Sequence, residues 1–274
     1  MLQQPYHIPA LLEEAIKLLN INPSGVYIDA TFGGGGHSRA IIEALGPSGK
    51  LYGFDRDLDA LANEIHDSRF TFVHSNYRYI ENFMRFYREH KADGILADLG
   101  VSFHHFDTPE RGFSFRADGP LDMRMNTAAD RTAADIVATY SVEKLTSMLK
   151  LYTDLKRPRI VADAIVKSRS LSPVDTTFKL AEAVKNVVNP RQEKKDLAQI
   201  FQALRIETNN EAADLIAFVA DVQVRGPEHA LLQPDQALHE LEGRSRRIQS
   251  LGCPVEPCAA LGNFVADFVR HVRA

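Results

Sequence analysis

The sequence predicts a doubly wound α/β fold, with a parallel sheet that carries a helical insertion domain. Two observations lead to this prediction. Over the first hundred residues, short β-rich runs alternate with helical patterns, which indicates βαβ units and a parallel sheet. From Ala133 to about Asn189, apolar residues recur only at helical spacing, so this segment is predicted to be all helical. The average composition, with 45% hydrophobic and 25% charged residues, excludes a disordered or collagen-like chain.

Each element of the α/β part follows from its local pattern. Leu11, Ala15 and Leu19 share one helical face, and Pro23-Ser24-Gly25 closes that first helix. The elements that follow are, in order, strand Val26–Ile28, helix His37–Leu45, strand Leu51–Phe54, helix Leu58–Ile65, strand Phe70–Val73, helix Tyr77–Glu89 and strand Ile95–Ala97.

The rhythm changes after residue 106. Thr108–Asn126 is a loop-like stretch rich in Gly, Asp, Arg and Phe, and Pro158 marks the start of one of the helices that follow. We therefore expect a helical insertion over 107–200, and an α/β domain from 1–106 plus 201–274. Beyond Val224 the only β-rich run is Phe264–Val269, which fits a helix equally well, so the sheet is expected to lack its later strands.

A glycine-rich loop, Asp29–Ser38 (DATFGGGGHS), follows the first strand. Consecutive glycines at such a turn allow positive φ and close approach of a ligand, and the next helix directs its amides at that ligand. The dinucleotide fingerprint requires glycines at positions one, three and six, and neither Gly33 nor Gly34 starts such a series. This disfavours a pyrophosphate cofactor. The acid Asp29 instead suits a cationic cofactor end, such as the amino group or sulfonium of S-adenosylmethionine.

Acidic residues end three of the predicted strands: Asp29, Asp55 and Asp98. The carboxyl ends of parallel strands meet at one edge of the sheet, so the three acids should line one crevice. Asp55 lies about 20 residues past the loop, where a carboxylate meets the ribose hydroxyls of a bound nucleoside. That spacing fits S-adenosylmethionine and NAD alike, which leaves an NAD(P)-dependent oxidoreductase as an alternative. Asp57 is expected to cap the next helix.

These stretches resemble the RsmH family (also called MraW) of bacterial methyltransferases of small-subunit ribosomal RNA. The resemblance covers roughly residues 5–215 and implies a Rossmann-like methyltransferase domain with an insertion that helps to recognise substrate. It also implies S-adenosylmethionine-dependent methylation of the exocyclic N4 of one cytidine in the decoding centre of 16S rRNA. The motifs are DATFGGGGHS at 29–38, GFDRD at 53–57, DGILADLGVS at 93–102, ERGFSF at 110–115, DGPLDMRM at 118–125 and FQALRI at 201–206.

The resemblance also implies a set of cofactor-binding positions, and no metal. Tyr77 falls where the family has an aromatic residue near the adenine. Asp98 has a second interpretation, because an acceptor for the N4 amino group would localise its lone pair and later take its proton. Asp98 is therefore the candidate catalytic residue as well. The cofactor positions are Gly35, Gly36, His37, Asp55, Tyr77, Asp98 and His105.

A methylated base must leave its stack and lie against a π surface. Phe103, Phe113 and Phe115 are candidates for that surface, and packing between core and insertion is an equally open interpretation. Phosphate contacts are expected from basic residues beside the site and on the insertion, namely Arg111, Arg116, Arg124, Lys156, Arg157 and Arg159.

The chain departs from the family after FQALRI. The Gly-Gly turn and the strand expected there are missing, and only His239, Leu241, Glu242 and Arg244 resemble the family's last segment. The alternative function is therefore a catalytically impaired relative that binds S-adenosylmethionine or rRNA but has lost its C-terminal strands.

Composition and the N-terminus bear on the compartment. No apolar run approaches the roughly 20 residues of a membrane span, and the N-terminus does not resemble a signal peptide. A cytoplasmic protein with no membrane partner is expected. Cys253 and Cys258 are too few for a disulfide framework and are expected to be reduced. The net charge of -4 requires any nucleic-acid contact to be local, and the oligomeric state stays open, with a homodimer as one alternative.

Overall fold

The computed structural model describes residues 11–100, 106–225 and 230–233, with side-chain surroundings up to residue 218. Its centre is a parallel sheet of five strands in the order β3-β2-β1-β4-β5. The order reverses between β1 and β4, and in such sheets the ligand crevice opens at that point. The predicted α/β fold is confirmed. The strands are β1 Val26–Asp29, β2 Lys50–Asp55, β3 Phe70–His74, β4 Gly94–Asp98 and β5 Ala230–Gln233.

Helices flank this sheet in the first of two compact units, which holds the described residues up to 55, those of 60–100 and those from 216 onward. They are α1 Leu12–Leu19, α2 Gly36–Ala44 and α3 Ile80–Phe86, with 3₁₀ turns at Leu58–Asn63 and Tyr77–Tyr79. Two predicted helices are thus shorter than expected. The one predicted to reach Glu89 ends at Phe86, close to Arg88, which adopts a left-handed φ of 61° that an α-helix does not continue through.

The core of the first unit joins α1 and α2 to the sheet. Ala15 and Leu19 of α1 and Ile41 of α2 are buried together with Leu51 and Leu96 of the strands. Leu51 and Leu96 are fully buried. The helices therefore cover the same apolar runs from which β2 and β4 were predicted.

The second unit is helical and comprises 56–59 together with the described residues from 106 to 215. Thr132 and Asp135 form a capping box at its first helix, and Pro158 begins the third, as predicted. Its helices are α4 Ala133–Thr139, α5 Val142–Tyr152, α6 Pro158–Arg169, α7 Thr177–Val184, α8 Glu193–Asn209 and the start of α9 Glu211–Arg225. None of the described helices is both long enough and apolar enough to cross a membrane.

The second unit has its own hydrophobic core, and that core explains why the unit extends past the expected limits of 107 and 200. Helix α8 continues without interruption through residue 200, and Leu197, Ile200 and Leu204 on it are buried in the same cluster as Ile136 and Leu145. A boundary inside this helix would cut through one core. That the insertion helps to recognise substrate stays a prediction.

Strand β5 corrects one expectation. The sequence predicts no strand between Val224 and Phe264. In the structure, Ala230–Gln233 pairs in parallel with β4, from Ile95↔Ala230 to Asp98↔Gln233. This short run contains no β-branched residue, so propensity gave no signal, and pairing with the edge of β4 decides its conformation. The segments 239–244 and 264–269, singled out from the sequence, lie outside the described residues.

Candidate cofactor site

The glycine-rich turn after β1 requires glycine at two positions. Gly33 and Gly35 have φ of 48° and 73°, which residues with a Cβ rarely adopt. A Cβ on Gly35 would also lie 2.7 Å from the Arg39 guanidinium and 3.0 Å from the Phe32 ring. Gly35 is the N-cap of α2, so the turn delivers the first amides of that helix to the carboxyl edge of the sheet.

Side chains from three elements fix the main chain of this turn. The Gly33 amide donates to Asp55 Oδ2 at 2.8 Å, and the Gly33 carbonyl accepts from Asn63 Nδ2 at 3.1 Å. Arg39 Nη1 donates to the Gly34 carbonyl at 2.7 Å. Sequence reasoning missed Asn63 and Arg39, because neither has a spacing signal that would join it to the loop.

Asp29 holds the turn from inside the protein. It is fully buried, and its carboxylate accepts from the Ser38 hydroxyl at 2.7 Å and from the Thr31 amide at 3.1 Å. The expectation that Asp29 faces a cationic cofactor end is therefore wrong, because the side chain has no exposed surface to offer. Burial raises the pKa of Asp29 above its ordinary value of 3.8, against the lowering effect of these two hydrogen bonds.

The raised pKa of Asp29 predicts a specific pH dependence of stability. The folded chain keeps the Asp29 proton at pH values where the unfolded chain has lost it. The free energy of unfolding contributed by Asp29 is therefore highest below pH 3.8 and falls as pH rises through the raised pKa. We expect the wild type to lose stability relative to Asp29→Asn as pH rises above 3.8, measured by urea denaturation of both proteins. A difference that is constant or grows with pH would contradict this.

Three predicted site residues lie at the carboxyl ends of strands. Asp55 ends β2 and Asp98 ends β4, and both side chains are partly exposed. Tyr77 follows β3; it is buried, with its ring 5.3 Å from Phe218 in an edge-on contact. The Asp98 amide donates to Thr31 Oγ1 at 2.7 Å, which joins the end of β4 to the glycine turn. Together these residues line one edge of the sheet in the strand order β3-β2-β1-β4.

His37 provides the strongest indication of a ligand. It lies in the first turn of α2, 5% exposed, and its buried Nε2 has no hydrogen-bond partner among the described residues. An unpaired buried nitrogen costs about 1–3 kcal/mol, and a bound ligand with a polar group can remove that cost. With Gly35 and Gly36 it forms a donor-rich helix end, so these three residues fit the polar end of a cofactor and Asp55 fits its hydroxyls. His105, the last of the seven predicted cofactor contacts, lies outside the described residues.

The aromatic candidates for base stacking have packing roles where they are described. Phe113 is buried in the core of the helical unit, and the ring of Phe115 lies 5.4 Å from that of Phe201. Of the two interpretations left open for these residues, packing is the one that the structure favours. Phe103 lies outside the described residues.

The basic candidates for RNA contact divide into two groups. Arg111 is 9% exposed and bonded to Asp57 and Asp59, so its prediction as a phosphate contact is wrong. Arg124 is partly exposed and forms a two-point ion pair with Asp122. The exposed candidates are Arg116, Lys156, Arg157 and Arg159. Over the part of the chain that the structure describes, no group of three His, Cys, Asp or Glu side chains could hold a metal ion.

A parallel sheet with a glycine turn after β1 and a carboxylate at the end of β2 defines an α/β protein that binds a nucleoside cofactor at its carboxyl edge. Within that class, the chain belongs to the MraW methylase family, which it matches over residues 4–224. This confirms the resemblance drawn from the motifs. The chain is a methyltransferase, and the predicted cofactor, S-adenosylmethionine, agrees with its family.

Curated relatives share between 43% and 56% of their aligned residues with this chain. A protein of Porphyromonas gingivalis is 56% identical over 213 residues, 77% of this chain and 68% of the relative. One of Parabacteroides distasonis is 55% identical over 207 residues, 75% of this chain and 68% of the relative. One of Christiangramia forsetii is 43% identical over 249 residues, 89% of this chain and 80% of the relative. All three are named ribosomal RNA small subunit methyltransferase H.

Proposed function

We propose that this chain transfers a methyl group from S-adenosylmethionine to the exocyclic N4 of a cytidine in the decoding centre of 16S rRNA. The observation that carries the proposal is the glycine turn bonded to Asp55, with His37 Nε2, which has no partner among the described residues, buried beside it. Family membership and the names of the relatives support the substrate class.

Different residues at the carboxyl edge of the sheet bind different parts of the cofactor. Asp55 accepts hydrogen bonds from the ribose hydroxyls, and Tyr77 lies near the adenine. His37 and the Gly36 amide hold the polar amino-acid end, and Gly35, whose own amide donates to the Phe32 carbonyl at 2.7 Å, shapes the turn around it. S-adenosylmethionine supplies an activated methyl group, so the protein contributes alignment and electrostatics.

Asp98 has two proposed roles, and they differ in what a substitution changes. At the end of β4, a partly exposed carboxylate can bind the cofactor or accept a hydrogen bond from the cytidine amino group. In the second role it localises the nitrogen lone pair and takes the proton that N4 loses. Asp98→Asn should mainly weaken cofactor affinity in the first role. In the second it should lower kcat by about 10²–10⁴-fold with the cofactor affinity retained.

The function is tested by methyl transfer from labelled S-adenosylmethionine to assembled small ribosomal subunits and, separately, to naked 16S rRNA that lacks the modification. Mass spectrometry of the digested nucleosides should find N4-methylcytidine at a single position. Methylation at another atom would overturn the assignment of N4. Cofactor binding without transfer to either substrate would favour the alternative, a catalytically impaired relative. We keep this alternative because the family match ends at residue 224.

Exposed cations on the helical unit are proposed to contact the RNA backbone. Lys156, Arg157 and Arg159 lie together at the start of α6, where Arg159 lies 3.8 Å from the exposed Glu143. Each phosphate contact contributes about 0.7–0.9 to the slope of log binding constant against log salt. Replacing all three by glutamine should reduce that slope by about two, measured by filter binding to 16S rRNA fragments. An unchanged slope would remove this surface from the RNA interface.

A substrate in the small ribosomal subunit implies a cytoplasmic enzyme. The proposal is compatible with a homodimer as the active form. Light scattering coupled to size-exclusion chromatography distinguishes a monomer from a homodimer directly.

A further inference from the structure

Two sequence motifs meet in the helical unit through residues that the cofactor site does not use. Arg111 of ERGFSF reaches the segment Arg56–Asp59, which begins with the last two residues of GFDRD. Its guanidinium bonds to Asp57 Oδ2 at 2.8 Å and to the Asp59 carboxylate. It also donates to the carbonyls of Arg124 at 2.9 Å and Met125 at 3.2 Å. One buried cation is therefore held from both sides, by the segment and by the loop before α4.

A second set of contacts holds the beginning of the same segment. Arg56 donates to the Asn209 carbonyl at 2.9 Å and lies 3.4 Å from Asp214 Oδ2, both side chains being largely buried. Asn209 is itself fixed, because its side chain donates to the Met123 carbonyl and accepts from the Met125 amide, both at 2.7 Å. The segment thus has little freedom to shift within the helical unit.

The segment begins one peptide bond after Asp55. Asp55 closes β2 and accepts from the Gly33 amide, so its carboxylate has to be aimed at the turn and, under the proposed function, at the ribose. We propose that Arg111 is a positioning residue for the cofactor site, acting through Asp57 and Asp59 to hold the chain that leaves Asp55. The ribose contact rests on the proposed function, whereas the bond from Asp55 to Gly33 does not.

The chemistry of the contact supports a positioning role over stabilisation alone. Buried ion pairs contribute little net stability, and an apolar set of the same volume often replaces them without loss. What charge-assisted, multi-point bonds to Arg do provide is one defined geometry. That geometry is provided here directly beside a carboxylate that must be oriented.

The first test reads the position of Asp55 without any cofactor. Hydrogen exchange of the Gly33 amide, followed by NMR, reports on its bond to Asp55. We expect exchange at Gly33 to be about tenfold faster in Arg111→Lys, with the Ala30 amide, which bonds to the Leu96 carbonyl, unchanged. The control is Arg205→Lys, because Arg205 is equally buried and paired with Glu211 at 3.0 Å but does not contact the segment.

Equal exchange at Gly33 in Arg111→Lys and the wild type, or equal acceleration in Arg205→Lys, would overturn the proposal. Should Arg111→Lys not fold, Asp59→Asn decides in its place. The Asp59 side chain is 54% exposed, so this variant loses the contact at small cost to the fold, and the same acceleration at Gly33 is expected.

The second test is calorimetric titration of S-adenosylmethionine in a double-mutant cycle. Arg111→Lys should weaken binding about tenfold in the wild-type background and leave it unchanged in Asp55→Asn, since residues that act through one another are not additive. Equal weakening in both backgrounds would mean that Arg111 does not act through Asp55. If the wild type does not bind S-adenosylmethionine, the proposed function fails, and the exchange measurement at Gly33 still decides the positioning role.

Discussion

Replacing Arg111 by methionine should lower the free energy of unfolding by about 3–5 kcal/mol, the cost of leaving a buried charge without its partner. Arg111 is 9% exposed, and the side chain of its partner Asp57 is 7% exposed. Methionine fills a similar volume but provides no donor. The Asp57 carboxylate and the carbonyls of Arg124 and Met125 would then lose bonds that water cannot easily replace.

Urea denaturation of the wild type and Arg111→Met measures this loss. The matched control is Arg85→Met. The side chain of Arg85 is 66% exposed, and it pairs with Glu81. Exposed helical ion pairs contribute little, so the control should denature at nearly the wild-type urea concentration. Similar small losses in both variants would show that water or a rearranged neighbour compensates Asp57.

The second large effect is expected on the cofactor. Asp55→Asn should weaken S-adenosylmethionine binding by about 1.5–3 kcal/mol, or roughly 10–150-fold in Kd, because a charge-assisted bond to the ribose becomes a neutral one. The same substitution weakens the bond from the Gly33 amide to Asp55 Oδ2, so the glycine turn should lose order as well. Calorimetric titration of the two proteins gives the affinities.

Asp93→Asn is the matched control for that titration. Its carboxylate also accepts one backbone amide at 2.8 Å, from Val26, but it does so at the amino edge of the same sheet. The affinity for S-adenosylmethionine should therefore be that of the wild type. Equal affinity in Asp55→Asn and the wild type would exclude Asp55 from the cofactor site.

The sheet and the location of the site could be predicted from the sequence because both depend on local patterns. Short β-rich runs of three or four residues predicted β1 to β4, and consecutive glycines after a strand predicted a ligand turn. The acids Asp55 and Asp98 could be placed at one edge because parallel strands end together.

What could not be predicted depends on contacts between distant parts of the chain. Burial reversed the interpretation of Asp29, which a sequence presents as a charged residue at a strand end. It also reversed that of Arg111, since a buried arginine and one on a nucleic-acid surface look alike in sequence. Asn63 contacts Gly33 across 30 residues, a separation that no periodicity reports. Strand β5 could not be predicted because its conformation depends on pairing with the edge of β4.

The pairing of β4 with β5 joins residues 95 and 230, with all six described α-helices of the helical unit beginning between them. Native contacts this far apart in sequence slow folding, because the chain between them must be ordered or looped first. On a ribosome that adds about 5–20 residues per second, the outer edge of β4 waits on the order of ten seconds for its neighbour. During that interval it exposes unpaired backbone groups, the template that other chains use in aggregation. A helical unit that folds early would shorten the intervening loop and so speed the pairing of β5 with β4.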